Sequence, residues 1–146
     1  MLIKMTFLAF LGSVFPVILF NIDRKKILWS GLAGAIGWIV YSIFLTLTNS
    51  SVFASFFGAF AVNFYSEIMA RVIKTPSSMF YVPGIFPIVP GFTAYTTVIA
   101  LVQGNFAEAL HKGVLTLSIG FAIAFGIMLS FTIFKILHNV KLLKLK

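Results

Sequence analysis

The residues whose chemistry stands out in this chain lie together: Val82-Pro83-Gly84-Ile85-Phe86-Pro87-Ile88-Val89-Pro90-Gly91-Phe92-Thr93-Ala94-Tyr95-Thr96-Thr97. Three prolines fall within eight positions. Each removes a backbone donor and clashes with the carbonyl four residues earlier, so no regular helix runs through them. In hydrocarbon every freed backbone group needs a partner, so such a segment must be buried in protein or line a wet cavity. Broken helices at mid-membrane depth build substrate sites in many transporters. Gly91 is free to take an unusual φ, and Thr93 is placed to cap a half-helix running to about Val102. The exposed N–H groups and positive dipole end of that half-helix would attract an anion such as a carboxylate. Thr93, Tyr95, Thr96 and Thr97 supply hydroxyls beside it. The opposing reading is a kinked packing helix whose threonines serve backbone carbonyls. A solute site is the preferred reading.

Glu67 is the other anomaly, the one acid well inside an apolar stretch. A charge at the centre of a spanning helix costs about 2.5–3.5 kcal/mol on insertion scales. Asn63, Glu67, Arg71 and Lys74 recur at i, i+4, i+8 and i+11, which is one helix face. A Glu67–Arg71 pair near the helix end, partly snorkelling, is the simpler expectation. The sharper alternative makes Glu67, with Asn63 beside it, a proton-coupling group or a wall of a permeation path. Catalytic constellations are missing. His111 falls in an expected outer loop and His138 in the tail, and two distant histidines with three acids make no metal site. There is no G-x-S-x-G, P-loop or H-E-x-x-H pattern. Asp23 sits beside Arg24-Lys25-Lys26, and Glu108 with His111 reads as surface. No enzyme activity, metal or cofactor is expected.

The elements that position these residues follow from composition. Of 146 residues, 60% are hydrophobic and 10% charged, and mean hydropathy is +1.08. A soluble domain is about 25% charged, and a fold this small leaves about a third of its chain surface in water. A soluble globular protein is excluded. The expectation is an all-α integral membrane protein, a single transmembrane domain over 1–146, with about five spans near 3–22, 27–47, 52–73, 79–102 and 113–134. The fourth is the span broken by the Pro/Gly segment. The first stretch lacks an Ala-x-Ala cleavage site and reads as an uncleaved helix. With no cysteine, disulfides and thiolate chemistry are excluded.

Charge decides whether the broken stretch crosses or turns back. If it crosses, nine of the eleven Lys and Arg fall on one side, three in 23–26, two in 71–78 and four in the tail; if it returns, the split is six against five. Basic residues gather on the cytoplasmic side, so the stretch crosses, with the N-terminus outside and the C-terminus cytoplasmic. The same rule accounts for the net +8 without a nucleic-acid partner. Gly31, Gly34 and Gly37, and the row Ser118, Ala122, Gly126 and Ser130, allow close helix approach. These rows read as internal contacts in preference to a subunit interface, though a homo-oligomer stays open. Trp29 suits an interface anchor, while Trp38 lies deeper and reads as packing.

Pro87-Ile88-Val89-Pro90-Gly91, preceded by Pro83-Gly84 and followed by Thr93-Ala94-Tyr95, resembles the P-x-x-P-G signature of the threonine/serine exporter family. The likeness extends through Asn21 to Gly37 and through Phe57 to Phe80. It implies a multi-pass inner-membrane exporter of threonine, serine or small carboxylates. The chain resembles the small membrane subunit, equivalent to the C-terminal half of fused exporters, and split versions work with a second, larger membrane subunit. The resemblance makes Pro83, Gly84, Pro87, Pro90, Gly91, Thr93, Tyr95 and Thr96 elements of a substrate path. Glu67 and Asn63 come from helix spacing and not from the family. The expectation is one half of an exporter driven by proton motive force. The alternative, from another class, is a structural subunit that stabilises a transporting partner; a small self-assembled channel is a weaker third.

Overall fold

The computed structural model describes residues 2–20, 22–23 and 26–143, with side chains through residue 137. Asn21, Arg24, Lys25 and the His138 side chain lie outside the described residues. The helices are α1 (Leu2–Leu19), α2 (Ile27–Thr48), α3 (Ser51–Ile73), α4 (Ser78–Ile85), α5 (Gly91–Val102) and α6 (Phe106–Leu143), with a 3₁₀ turn, Phe86–Ile88, between α4 and α5. No strand occurs among the described residues.

Four helices are long and apolar enough to cross a membrane: α1, α2, α3 and Phe106–Leu137 of α6. The stretch from Ser78 to Val102 makes a fifth, as two helical pieces bent by 51° at the prolines. A bend of 51° does not send the chain back the way it came. The two pieces also keep different company, α4 packing on α1, α2 and α3 while α5 packs chiefly on α6. This is an all-helical membrane architecture with a broken fourth span.

The ends of α2 and α3 fall within a residue of the sequence expectation, and each closes on a left-handed residue, Asn49 at φ 50° and Lys74 at φ 56°. α6 does not follow expectation. It starts at Phe106 instead of 113 and continues through what read as a tail. Asn105 caps it: Asn105 Oδ1 accepts the Glu108 N–H at 3.3 Å, and Asn105 Nδ2 donates to Glu108 Oε2 at 2.8 Å. Glu108 also pairs with Lys112 one turn on, at 2.6 Å. This reciprocal cap is worth more than the polarity that made the segment read as a loop, so His111 is helical. At 38 residues, or about 57 Å, α6 projects beyond a hydrocarbon core of about 30 Å.

Close approach holds the bundle together. The first two glycines of the α2 row face α1: a Cβ on Gly34 would collide with Ser13 and lie 3.2 Å from the Ala9 carbonyl. The third, Gly37, faces α3 and the break, where a Cβ would collide with Val62. In α6, a Cβ on Gly126 would meet the α3 backbone at Phe56 and Phe60. At this position the α6 row is an internal helix contact. Ala33, Ala59, Val62, Ile88, Ile119 and Ile123 form one buried cluster that joins α2, α3, the 3₁₀ turn and α6.

Candidate functional site

The first half of the break packs into the bundle at Pro83 and Gly84, while Phe86 is exposed. Pro83 stands inside α4 and is buried. It has no N–H for the Met79 carbonyl, and Ser30 Oγ of α2 donates to that carbonyl instead, at 3.0 Å. Gly84 follows where α4 presses on its neighbours. A Cβ there would lie 2.9 Å from both Ala33 Cβ and Val62 Cγ1. The Phe86 N–H turns to Pro83 O, and the Val89 N–H donates to Ile85 O at 3.2 Å. The Gly91 N–H closes the break on Val89 O at 2.8 Å.

The second half departs from the sequence reading in two ways. α5 begins at Gly91 with Pro90 in the capping position and no side-chain cap. Thr93 is therefore in the first turn and is not the cap; its Oγ1 donates back to Pro90 O at 3.0 Å. Pro90 already sets the entry geometry, so a capping side chain has no role. Gly91 has no left-handed φ, and a Cβ there would meet nothing within 4 Å. The hydroxyls of Thr96 and Thr97 both donate to Thr93 O, at 3.1 and 2.7 Å. Tyr95 is 63% exposed on the outer face of α5.

A partly enclosed cavity of about 220 Å³ lies against the break. Pro87, Pro90 and Thr93 come from the break itself, and Ile119 from α6 closes one side. The remaining wall is Ile88, Val89 and Phe92 of the broken span, Trp38 and Tyr41 of α2, and Ser51 and Ser55 of α3. Trp38 stacks on Tyr41 with ring centroids 5.3 Å apart. Its Nε1 is buried and has no hydrogen-bond partner among the described residues. Leaving such a donor unsatisfied costs about 1–3 kcal/mol. An indole N–H only donates, so what it lacks is an acceptor such as a carboxylate or hydroxyl oxygen.

Sequence reasoning missed Trp38, Tyr41, Ser51 and Ser55. Their signal was spacing: Trp38 with Tyr41, and Ser51 with Ser55, each share a helix face in an otherwise apolar span. Pro83 and Gly84 position the break without lining the cavity, and Gly91, Tyr95 and Thr96 are not in its wall either.

Glu67 and Asn63 are elsewhere. Arg71 Nη1 lies 2.9 Å from Glu67 Oε2, donates to Glu67 O at 2.8 Å, and its guanidinium carbon lies 4.6 Å from the Phe134 ring centroid. The carboxylate is nearly buried, while Arg71 is half exposed. Asn63 is buried, and its Nδ2 donates to the Ile127 carbonyl of α6 at 3.3 Å. It borders a second, more open cleft of about 600 Å³ with Ser77, Ser78 and Tyr81. Neither residue reaches the break cavity. No cluster able to hold a metal ion occurs among the described residues.

No solved structure matches the chain. An uncharacterized protein of Haemophilus influenzae is 27% identical over 129 residues, covering 83% of this chain and 43% of the relative. The chain thus spans under half the length of that curated relative. The family model for the threonine/serine exporter ThrE matches residues 5–133, nearly all of the described chain. Its break, its apolar helices and this match agree: the chain is a multi-pass membrane protein of the threonine/serine exporter ThrE family, whose members are transporters and not enzymes.

Proposed function

We propose that this chain is one half of a secondary exporter of threonine, serine or small carboxylates, acting with a second, larger membrane subunit, and that the break cavity holds the solute. One observation carries the reading: Trp38, whose buried Nε1 has no partner among the described residues, belongs to the wall of a hydroxyl-bearing cavity against a broken span. At about 30 Å³ per water, 220 Å³ takes roughly seven waters. A hydroxy amino acid the size of threonine belongs to that class. Trp38 would donate to its carboxylate after a turn of the indole that brings the buried Nε1 into the cavity, with the positive end of α5 at the cavity edge assisting. Thr93 Oγ1 keeps lone pairs free to accept from an ammonium group.

The basic residues support one orientation: the end of the bundle with Lys26, Arg71 and Lys74 would face the cytoplasm, across the inner membrane, with the N-terminus outside. The larger subunit is proposed from the family's split organisation and from the relative's greater length. Coupling to protons would need a carboxylate within a span, and Glu67 of α3, paired with Arg71, is the proposed one.

The decisive assay measures efflux of labelled threonine, serine and a small carboxylate from cells with this chain, the larger subunit, both or neither. Efflux only with both, lost in Trp38→Phe while the protein still reaches the membrane, is the expected result. Efflux by the larger subunit alone would favour the second reading, a structural subunit. The exposed outer face of α5, with Tyr95 and Phe92 uncovered, is the observation on which that reading stands.

A further inference from the structure

We infer that the Asn63 cleft is the opposite mouth of the same solute path, separated from the break cavity by a single seal in which Ile88 fills a notch between Gly37 and Gly58. The inference rests on the exporter reading for the identity of the solute, a small molecule bearing carboxylate and hydroxyl groups, but its geometry stands apart from it.

Three independent elements give the same order. Along α3, Ser55 lines the break cavity, Ala59 and Val62 lie in the buried cluster, and Asn63 borders the cleft. Along α6 the order is Ile119, Ile123, then Ala124 and Ile127. Along the broken span it runs in reverse, from Tyr81 at the cleft through Gly84, packed on Ala33 and Val62 of the layer, to Pro87, Pro90 and Thr93 at the cavity, with Ile88 in both the layer and the cavity wall. The two hollows therefore lie on opposite sides of one apolar layer. Ser55 and Asn63 are eight residues apart, about 12 Å along a helix, so the layer is thin. Asn63 puts an amide, and Ser77, Ser78 and Tyr81 put hydroxyls, on the far side of it. Those are the groups a solute leaving the break cavity would need next.

Ile88 is the residue on which the seal turns. A Cβ on Gly37 would come within 3.0 Å of Ile88 Cδ1, and one on Gly58 would do the same from α3. The side chain thus occupies a notch that only glycines on both helices leave open. Its backbone closes the 3₁₀ turn Phe86–Ile88 and is flanked by Pro87 and Val89-Pro90, a part of the span with few helical hydrogen bonds to break. Displacing that turn would withdraw Ile88 and join the two hollows, without unpacking Gly84 from Ala33 and Val62.

The chain has no cysteine, which makes a direct test available. Tyr81→Cys and Thr93→Cys are made singly in the full chain and treated with a membrane-impermeant thiol reagent in sealed vesicles of each orientation. Tyr81→Cys should label only from the face carrying Lys26 and Lys74, and Thr93→Cys only from the other. Adding Ile88→Ala should make Thr93→Cys label from both faces. Ile88→Val, which removes one methyl, serves if the alanine variant does not accumulate, and should give the same gain more slowly. Both positions labelling from one face in the parent, or no gain of second-face labelling with either Ile88 variant, would overturn the inference. Labelling needs neither transport nor a partner, so failed export in cells would remove the exporter reading and leave this result standing.

Discussion

Polar chemistry enters this apolar chain at the broken fourth span and at the Glu67–Arg71 pair, and the two differ in how much of it is answered locally. At Glu67 the charges are paired: the carboxylate has the guanidinium at 2.9 Å, and the guanidinium has a carbonyl and an aromatic face besides. At the break, Ser30 covers the carbonyl that Pro83 frees, and Thr93, Thr96 and Thr97 bond to nearby carbonyls. Yet one donor beside it, Trp38 Nε1, is left over. A charge in a membrane helix demands a partner and finds one four residues away. Among the described residues Ser13 Oγ, Tyr65 Oη, Thr75 Oγ1 and Ser130 Oγ are also buried without a partner, but only Trp38 belongs to the wall of the break cavity, and that position makes it the better sign of a missing ligand.

The comparison breaks most sharply at Trp38. Trp38→Phe keeps an aromatic ring, smaller than the indole, and deletes the donor. A hydrogen bond to a charged group is worth about 1.5–3 kcal/mol, and each 1.4 kcal/mol is about tenfold. Solute affinity in an efflux assay should therefore fall by roughly ten- to a hundredfold, while the melting temperature in detergent holds or rises. Unchanged efflux would make the orphan donor a mere packing cost. Gly84→Ala comes next. The added methyl meets Ala33 and Val62 at 2.9 Å, and overpacking of this kind costs about 1–3 kcal/mol, read as a lower unfolding midpoint. Gly91→Ala should show no such loss, since nothing lies within 4 Å of its Cβ position; a large loss there would mean that a partner covers it.

On the other side of the comparison, Arg71→Ala strands a nearly buried carboxylate, but the arginine is half exposed. The expected cost is only about 1 kcal/mol, toward the exposed-pair range, with break-cavity labelling unchanged. Glu67→Gln should leave the proton dependence of efflux as it was if the pair is structural; a lost dependence would bring Glu67 into the mechanism. The smallest effect belongs to Thr97→Val, whose hydroxyl serves only a carbonyl one turn back. A change within about 0.5 kcal/mol is expected for such a local bond.

Much of this was legible beforehand. The boundaries of α2 and α3, the interruption at the prolines and the Glu67–Arg71 pair all follow from local rules of hydropathy, proline geometry and i,i+4 spacing. The start of α6 was legible too, in the Asn105-x-x-Glu108 cap, but the segment's polarity outweighed it. The role given to Thr93 as a cap failed because Pro90, one turn earlier, already fixes where α5 begins.

By itself, then, the sequence determined that this chain lives in a membrane as helices and that its fourth span must break, because hydrocarbon tolerates neither scattered charge nor unpaired backbone. Only the tertiary structure decided which polar groups remain unanswered and where space is left. Trp38, Ser55 and Thr93 are far apart along the chain and share one cavity, while Gly91 and Tyr95, inside the conspicuous motif, do not line it. Hydrogen-bond satisfaction and enclosed volume are relations among packed helices. No residue type or spacing carries them until α2, α3, α6 and the break are brought together.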